Sequence, residues 1–285
     1  MASYRLMTNN IWNSMSNTEG WKAKGEDCSP EVRVPLLARV YEELMPDVLG
    51  MQEANHKMVN LLQIEFTKRA LPYTILFAPY TSIAYRTDRF ELLDTAYLPY
   101  PVTIDGLEGE FNDAGSKSLH IAVLRSKEDG KILVFANTHL WWKGAKPRFE
   151  NDPWYLPVSD KARVYQMKLA NELIGQYQKK YGGAPAVFLG DMNCPLHSDP
   201  IAAILSFGFV EAHDVATEYA CEENGYHYCF GDGHKPYVPG KYEDAIDHIL
   251  VRDIPEGFCR RLERFTPDWY EIVSDHYPAY IDVAY

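Results

Sequence analysis

The sequence predicts an α/β protein in which mixed β-sheets pack on each other and helices cover the outside. Strand-like and helix-like segments alternate along the 285 residues. In addition, Asp129-Gly130 lies between two apolar segments, which is typical of a β-hairpin and fits poorly with a plain doubly wound sheet. Neither an internal repeat nor a long linker interrupts this pattern, so we expect a single domain over residues 1–285.

The first half of the chain predicts strands and two helices. Residues 4–11 are apolar enough for a strand, and residues 31–44 place apolar side chains three and four apart, as in an amphipathic helix. The short apolar run 47–51 predicts a further strand, and residues 56–69 predict the second helix. Strand-like segments then follow at 73–77, 82–86 and 90–98.

The second half gives clearer signals. Apolar residues alternate over 119–123, whereas residues 132–136 are continuously apolar, as in a strand covered on both faces. Residues 158–178 predict the longest helix, with Ser159 or Asp160 as its N-terminal cap. Further apolar runs follow at 186–189, 246–251 and 277–283.

Composition and charge exclude several classes of protein. A net charge of -12 argues against extended nucleic-acid binding by bulk electrostatics, but not against a small phosphorylated substrate. The five cysteines are dispersed and odd in number, which predicts reduced thiols in a cytoplasmic protein. We see neither a signal peptide nor the roughly 18 apolar residues of a transmembrane span, and so expect no membrane insertion.

Polar clusters recur where the predicted strands end or begin, which is where α/β proteins usually place their sites. There are six of them: Asn9-Asn10, Gln52-Glu53, Asn137-Thr138-His139, Gly190-Asp191-Met192-Asn193, Asp247-His248 and Ser274-Asp275-His276. The carboxylates adjoin strongly apolar segments, and buried charge is costly unless it is paired or bound to a metal. Carboxylates that converge with amides suit Mg²⁺ or Mn²⁺ better than Zn²⁺. His139 and His276 add hydrogen-bond donors or proton carriers.

Each cluster alone also has a structural explanation, based on the usual roles of such residues in caps and turns. These explanations are a strand-end hydrogen bond for Asn10, a helix cap for Glu53, a core position for His139, an Asx turn of Asp191 with Asn193, a sheet-edge position for Asp247, and a turn cap for Asp275 before Pro278. The functional interpretation therefore depends on all six clusters occurring in one chain.

The order of the clusters from Arg5 to Tyr280 resembles the endonuclease/exonuclease/phosphatase superfamily, which includes DNase I. The resemblance implies a DNase I-like, four-layer αββα sandwich of two mixed sheets flanked by helices. It also implies a Mg²⁺-dependent phosphoric ester hydrolase in which a metal ion assists the in-line attack of water.

The resemblance also implies a role for each motif residue. Glu53 is expected to be the main metal ligand, helped by Asn10 and Asp275. Asp191 is expected to orient or deprotonate the attacking water, with Asn193 beside it on the phosphate. His139 is expected to donate to a phosphate oxygen, and His276 to pair with Asp247 and act on the phosphate or the water. The choice of general base between Asp191 and the histidine–aspartate pair stays open.

Two further segments resemble the family. Ser82–Arg86 followed by Phe90-Glu91-Leu92-Leu93 looks like its central hairpin, and Arg163 with Gln166 matches its Arg-x-x-Gln helix. Arg163 is a candidate for substrate binding, with support of a site loop as the alternative.

The substrate is less well defined by the sequence. Residues 105–117 and 141–157 look like surface insertions, and Trp142 with Lys143 in the second one are candidate substrate-binding residues. The first interpretation is a nuclease-like phosphodiesterase acting on a small-molecule or short nucleic-acid substrate. The alternatives are a phosphomonoesterase acting on sugar, inositol or lipid headgroup phosphates, and a catalytically inactive binding module. We expect a monomer without an obligate protein partner.

Overall fold

The computed structural model of the chain describes residues 2–15, 19–219, 225–228, 238–241 and 245–284. The helices are α1 (Glu19–Ala23), α2 (Pro30–Leu44), α3 (His56–Lys68), α4 (Ser159–Lys180), α5 (Asp199–Leu205) and α6 (Ala212–Val215). The strands are β1 (Ser3–Asn10), β2 (Val48–Gln52), β3 (Tyr73–Leu76), β4 (Ile83–Arg86), β5 (Phe90–Pro99), β6 (Ser118–Ser126), β7 (Ile132–His139), β8 (Ala186–Asp191), β9 (Val210–Glu211), β10 (Glu218–Tyr219), β11 (Gly225–Tyr228), β12 (Val238–Lys241), β13 (Asp247–Arg252), β14 (Cys259–Arg264) and β15 (Ala279–Ala284).

The strands form two mixed sheets and a separate ladder of β11 with β12. The first sheet has seven strands in the order β10-β14-β15-β1-β2-β4-β3, and the second has six in the order β5-β6-β7-β8-β13-β9. Near the centre of each sheet lies a parallel pair, β1 with β2 and β7 with β8. Parallel strands need a crossover connection, which α2 and α4 supply here. The carboxyl ends of each pair therefore lie at the same edge of their sheet.

Apolar cores separate four layers. The two sheets pack face to face through side chains such as Phe135 and Leu189. The outer face of the first sheet packs against α2 and α3 through Leu37 and Phe66, and the outer face of the second packs against α4 through Ile174. The predicted αββα sandwich is confirmed, because each sheet alternates side chains between an inner core and a helix layer.

The predicted helices and longer strands are confirmed to within about two residues at most ends, and β6 and β7 are longer than predicted. The Asp129-Gly130 hairpin is also confirmed, since β6 and β7 pair antiparallel and Gly130 has a φ of 75°. The sequence did not predict α1, α5 or α6. These helices have five, seven and four residues, too few for a clear helical period.

The predicted cap of α4 is wrong. The N-cap position is Val158, and no side chain caps the helix there. The hydroxyl of Ser159 instead accepts a hydrogen bond from Trp141 Nε1 at 3.2 Å, and Asp160 pairs with Arg163 at 2.6 Å. Both side chains are therefore engaged with the 141–157 segment and with the helix's own surface.

The predicted hairpin between residues 82–86 and 90–93 is also wrong. Strand β4 pairs with β2 and β3 in the first sheet, whereas β5 pairs with β6 in the second. The chain crosses from one sheet to the other between them. Arg86 lies on this crossing and binds Asp88 and Asp47, away from the strand ends where the polar clusters meet.

Asn137 joins the two sheets beneath these clusters. Its Nδ2 donates to the carbonyl oxygens of Met51 and Ser82, each at 3.0 Å, and its Oδ1 accepts from Gln52 Nε2 at 2.5 Å. A Cβ at Gly50 would lie 2.9 Å from Asn137, so this close approach requires glycine there. The hydrogen bonds hold the two sheets in a fixed relation at the end where the polar clusters lie.

Two findings bear on the composition-based expectations. Cys28, Cys194 and Cys259 are free and buried, while Cys221 and Cys229 lie outside the described residues. Among the helices of the described ranges, none is long and apolar enough to cross a lipid bilayer.

Candidate active site

The first sheet brings its predicted site residues to one edge. Asn10 ends β1 and lies in register beside the last residue of β2, directly before Glu53. Asp275 and His276 precede β15, which runs antiparallel to β1 and begins opposite its carboxyl half. The strand register alone therefore places these four residues close together.

The second sheet contributes the remaining motif residues at the same end. His139 ends β7 and lies in register beside Asp191, which ends β8. Asp191 lies in turn beside Asp247, the first residue of the antiparallel strand β13. Since Asn137 ties the sheets together two residues before His139, both groups meet at one opening.

The opening is a cavity of ≈ 460 Å³. Its described lining residues are Asn13, Glu53, Tyr80, Asp113, Ala114, Ser116, Lys117, His139, Trp142, Asp191, Asn193, Asp275 and His276. Asn10 and Asp247 lie directly behind this lining and hydrogen-bond to it. Lys143 and Arg163 are not among the described lining residues.

Glu53 is held at the cavity wall by two asparagines. Its Oε2 accepts from the backbone N–H and the side-chain Nδ2 of Asn13, at 3.0 and 2.6 Å, and its Oε1 accepts from Asn10 Nδ2 at 3.3 Å. Its backbone has a φ of 57°, a strained conformation that persists where the surroundings enforce it. The helix α3 is capped by Asn55 and not by Glu53. The structure therefore offers Glu53 as a fixed carboxylate facing the cavity.

Asp275 and Asp247 each have a buried carboxylate oxygen without a partner among the described residues, and of the two, Asp275 is the predicted metal ligand. Its Oδ1 is inaccessible to solvent and has no hydrogen-bond partner among the described residues. Burial and the neighbouring charge of Glu53 raise the pKa of Asp275 to about 7, although His276 opposes the shift. A divalent cation between these carboxylates would satisfy the orphaned oxygen and remove the repulsion. The donor set of Glu53 and Asp275 therefore fits a hard, oxygen-preferring metal ion.

His276 and Asp247 form a hydrogen-bonded histidine–aspartate pair. The Nδ1 of His276 lies 2.8 Å from Asp247 Oδ2, and its Nε2 lies 3.7 Å from Asp191 Oδ2. Burial alone would lower the pKa of His276, but the charges of Asp247 and Asp191 outweigh it and raise the pKa well above the usual value. The surroundings of His276 therefore favour its charged form, with Nδ1 hydrogen-bonded to Asp247 and Nε2 facing Asp191 beyond hydrogen-bond distance.

A second set of potential metal ligands lies within this pair. Ligand atoms of Asp191, Asp247 and His276 all lie within 4.8 Å of one another. However, His276 Nδ1 and Asp247 Oδ2 already hydrogen-bond to each other at 2.8 Å, so this contact would have to break for both atoms to bind a metal ion. Glu53 with Asp275 therefore fits a metal ion better than this set does.

Asp191 has two differently used oxygens. Its Oδ1 accepts from the backbone N–H of Asn193 at 3.0 Å, which is the Asx-type turn considered from the sequence. Its Oδ2 accepts from Asn10 Nδ2 at 3.0 Å and lies 3.4 Å from His139 Nε2. Burial raises the pKa of Asp191 to about 6, against the charge of His276. The turn thus holds Oδ1 of Asp191, while Oδ2 faces Asn10 and His139.

Lys117 is a site residue that the sequence analysis missed. It is buried, and its Nζ lies 2.8 Å from His139 Nε2. Lysine only donates, so His139 accepts through a ring nitrogen, with Nε2 the nearer and Nδ1 at 3.4 Å from Nζ. Burial and the charge of Lys117 hold the pKa of His139 well below its usual value. The hairpin register contained the signal, because Ser118 opposes His139 and places Lys117 at the same edge.

Arg33 on α2 is a second missed residue, and it anchors the loops behind the site. Its guanidinium is fully buried and makes five hydrogen bonds to backbone carbonyls. The acceptors are Cys28, Ile11, Val273, Trp12 and Asn13, at 2.7 to 3.0 Å. Arg33 therefore connects the loop that carries Asn13 to the loop that carries Asp275. The sequence offers no local signal for it, since all but one of these partners are more than fifteen residues away.

The two predicted insertions meet at the cavity rim. Trp142 Nε1 donates to Asp113 Oδ2 at 2.9 Å, which joins the 141–157 segment to the 105–117 segment. Arg163 lies beneath them and donates to the carbonyl oxygens of Trp141 and Lys143 at 2.9 and 2.8 Å. Its guanidinium thus supports the loop, which is the alternative role considered for it, and its contacts do not favour substrate binding.

The geometry agrees with comparisons to known proteins. Residues 12–276 match the model of the endonuclease/exonuclease/phosphatase family. No match was found among curated proteins.

Several solved structures share the fold across almost the whole chain. An endonuclease/exonuclease/phosphatase from Bacteroides vulgatus is 22% identical, with a TM-score of 0.74 over 100% of this chain and 99% of that one. A mannosyl-6-phosphatase from Bacteroides thetaiotaomicron is 20% identical, with a TM-score of 0.71 over 99% and 100%. TDP2 from D. rerio, complexed with a single-strand DNA product, is 17% identical, with a TM-score of 0.66 over 100% of both chains. The chain belongs to the endonuclease/exonuclease/phosphatase family, a family of divalent-metal-dependent phosphoesterases.

Proposed function

We propose that this chain is a Mg²⁺-dependent hydrolase that cleaves a phosphate ester by in-line attack of water. The observation that carries the proposal is the convergence of three groups on one cavity. Glu53 and Asp275 are two carboxylates in one cavity, and the Oδ1 of Asp275 has no hydrogen-bond partner among the described residues. His276 Nε2 lies 3.7 Å from the carboxylate of Asp191. Phosphoryl transfer requires charge neutralisation together with an oriented nucleophile, and these groups are suited to both.

The metal proposal rests on the oxygen donors. Glu53 and Asp275 would hold the ion, and the oxygen of Asn10, which accepts from Trp12 N–H at 3.0 Å, has a second lone pair to offer. Oxygen donors suit Mg²⁺, with Mn²⁺ as an alternative of similar preference. The ion would polarise the phosphate and stabilise the leaving oxygen.

The proton chemistry favours Asp191 as the group that orients and deprotonates water. Asp247 lies 2.8 Å from His276 Nδ1 and raises the pKa of His276, which favours a role as a donor to a phosphate oxygen over a role as the base. Asp191 lines the cavity, and its Oδ2 accepts a hydrogen bond from Asn10 Nδ2, so this carboxylate is placed to accept a proton from water. Asn193 lies beside it in the cavity lining, where its Nδ2 donates to the carbonyl of Leu140 at 3.1 Å, and its side chain would contact the phosphate.

The cavity favours a small substrate. Its described lining includes four acidic residues and one lysine, Lys117, which is too little positive charge to bind a long polyanion. The structural neighbours include both a sugar phosphatase and a DNA-processing protein, so the likeness of fold does not separate monoesters from diesters. The inactive-module alternative is disfavoured, because every predicted motif residue lies in the cavity lining or directly behind it.

A substrate panel tests the proposal. Purified protein is assayed with Mg²⁺ and with EDTA on p-nitrophenyl phosphate, bis-p-nitrophenyl phosphate, an oligonucleotide and a phosphoinositide. We expect EDTA-sensitive hydrolysis of at least one substrate and its loss in Glu53→Ala and His276→Ala. Absence of hydrolysis on the whole panel, or activity that survives either substitution, would refute the assigned site.

A role of Trp142 in substrate binding can be tested on the same panel. Trp142 lines the cavity, whereas Trp154 on the same segment is exposed and contacts Arg148. We expect Trp142→Ala to raise KM on the accepted substrate and Trp154→Ala to leave it unchanged. Equal effects of the two substitutions would remove Trp142 from the substrate site.

A further inference from the structure

Lys117 is placed as a preorganised cation on the cavity floor. Its backbone N–H donates to Asn112 Oδ1 at 2.9 Å, and its carbonyl accepts from Asn112 Nδ2 at 3.0 Å. The side chain is 4% exposed and ends 2.8 Å from His139 Nε2. A lysine fixed at both backbone and side chain loses little conformational entropy when it binds a ligand.

The ammonium group has unused hydrogen-bonding capacity. It carries three donor hydrogens, and His139 accepts one of them. Among the described residues no other acceptor contacts Nζ, so two hydrogens are left for a ligand in the cavity. Hydrogen bonds from an ammonium to a phosphate oxygen are charge-assisted and therefore strong.

The number of charges that must be neutralised separates the two classes of substrate. A phosphate diester has one negative charge, whereas the fully ionised monoester has two. Lys117 is the one lysine or arginine among the described lining residues, and it shares the cavity with the Glu53–Asp275 pair that would hold the metal ion. We infer that this site is a phosphomonoesterase site, an inference that rests on the proposed hydrolase function. In it, Lys117 binds the second anionic oxygen of the monoester. In a diester the corresponding oxygen is esterified and carries no charge.

The shape of the cavity supports the same assignment. The Trp142–Asp113 hydrogen bond joins the two insertions at the more exposed part of the cavity lining, and the buried Lys117 and His139 belong to the same lining. The second ester group of a diester would press an apolar carbon against the buried ammonium and deprive it of hydrogen-bond partners, which is costly. A monoester leaves its single alcohol toward the rim, where Trp142 offers an apolar face to a sugar or another small alcohol.

The reaction is then the hydrolysis of a small alcohol phosphate. The oxygen of water forms a bond to phosphorus, the bond from phosphorus to the ester oxygen breaks, and one proton of the water ends on the released alcohol. Inorganic phosphate is the other product, and Lys117 acts by donating hydrogen bonds and not by transferring a proton.

Two esters that share a leaving group test the inference. p-Nitrophenyl phosphate and methyl p-nitrophenyl phosphate differ in one oxygen, which is anionic in the first and methylated in the second. We expect Lys117→Gln to reduce kcat/KM for the monoester about 10- to 100-fold and to change the diester by less than about 3-fold, since a charged hydrogen bond is lost in the first case alone. Lys127→Gln, at the far end of the same hairpin, is the matched control and should leave both values unchanged.

The outcomes separate the inference from the function on which it rests. If the wild-type protein hydrolyses neither ester nor any other substrate of the panel, the proposed function fails; if it hydrolyses the oligonucleotide and neither ester, the function stands and the monoester inference is overturned. If it hydrolyses either ester and Lys117→Gln leaves the ratio of the two kcat/KM values unchanged, the monoester inference is overturned while the function stands. Should Lys117→Gln not fold, Lys117→Met takes its place. Inhibition of the wild-type protein by inorganic phosphate and by dimethyl phosphate is a second test. If dimethyl phosphate binds as tightly as inorganic phosphate, the inference is also overturned.

Discussion

Replacing Arg33 with lysine tests whether the loops that carry the site depend on one buried guanidinium. Arginine uses all five of its donor hydrogens here on five backbone carbonyls, whereas lysine has three. At least two buried carbonyls therefore lose their partner. Each unsatisfied buried acceptor costs about 1–3 kcal/mol, so we expect the free energy of unfolding to fall by about 2–6 kcal/mol.

The assay is urea denaturation, followed by Mg²⁺ titration of activity under conditions where the variant is folded. We expect the Mg²⁺ concentration for half-maximal activity to rise, because the carbonyls released belong to the loops that hold Asn13 and Asp275. Arg39→Lys is the matched control, since Arg39 lies on the same helix, is exposed and contacts the ring of Trp269. If Arg33→Lys and Arg39→Lys have equal stability and equal Mg²⁺ dependence, the anchoring role of Arg33 is wrong.

Three further predictions concern stability and the histidine–aspartate pair of His276 and Asp247. Burial lowers the pKa of His120 to about 4, so between pH 6.5 and 4 the unfolded chain binds a proton that the folded chain does not. Stability should therefore fall by up to about 3 kcal/mol as pH drops through this window, and His120→Gln should flatten that dependence in denaturation curves. A Cβ at Gly190, whose φ is 144°, would collide with the backbone of β7, so Gly190→Ala should destabilise by about 3 kcal/mol or more. Gly175→Ala within α4 should instead stabilise by about 0.5–1 kcal/mol, and thermal melts that gave both variants the same sign would contradict this account of the two glycines. Asp247→Asn removes the charge that keeps His276 protonated, and we expect kcat to fall about 100-fold or more, whereas a fall below about 3-fold would exclude the pair from the chemistry.

The fold and the motif residues were predictable because their signals are local in the sequence. Each motif residue lies at the end of an apolar strand or within a few residues of one, and parallel pairing brings strand ends to one edge whatever the details of packing. The register shows this directly, since His139, Asp191 and Asp247 are neighbours across three strands. The αββα layering follows from the alternation of strands with amphipathic helices.

The missed features depend on long-range contacts that the local sequence does not specify. Lys117 gains its role from the β6–β7 register, and Arg33 gains its role from loops brought together by the whole first sheet. The wrong hairpin between β4 and β5 has a similar cause, since two adjacent strands with a short connection can pair or can enter different sheets. The wrong cap of α4 arose because Ser159 is engaged by Trp141, which is eighteen residues away.

The most direct test of the proposed chemistry is Mg²⁺ binding and activity measured on the same samples. Calorimetric titration and hydrolysis of p-nitrophenyl phosphate are compared for the wild-type protein, Glu53→Gln, Asp275→Asn and the exposed control Glu91→Gln. We expect saturable Mg²⁺ binding in the wild type and in Glu91→Gln. Removing a residue that only hydrogen-bonds to a metal ligand typically lowers metal affinity roughly 10- to 100-fold. We expect the two site variants to lose more Mg²⁺ affinity than that and to lose activity in parallel. Unchanged Mg²⁺ affinity in Glu53→Gln and Asp275→Asn would contradict the metal site.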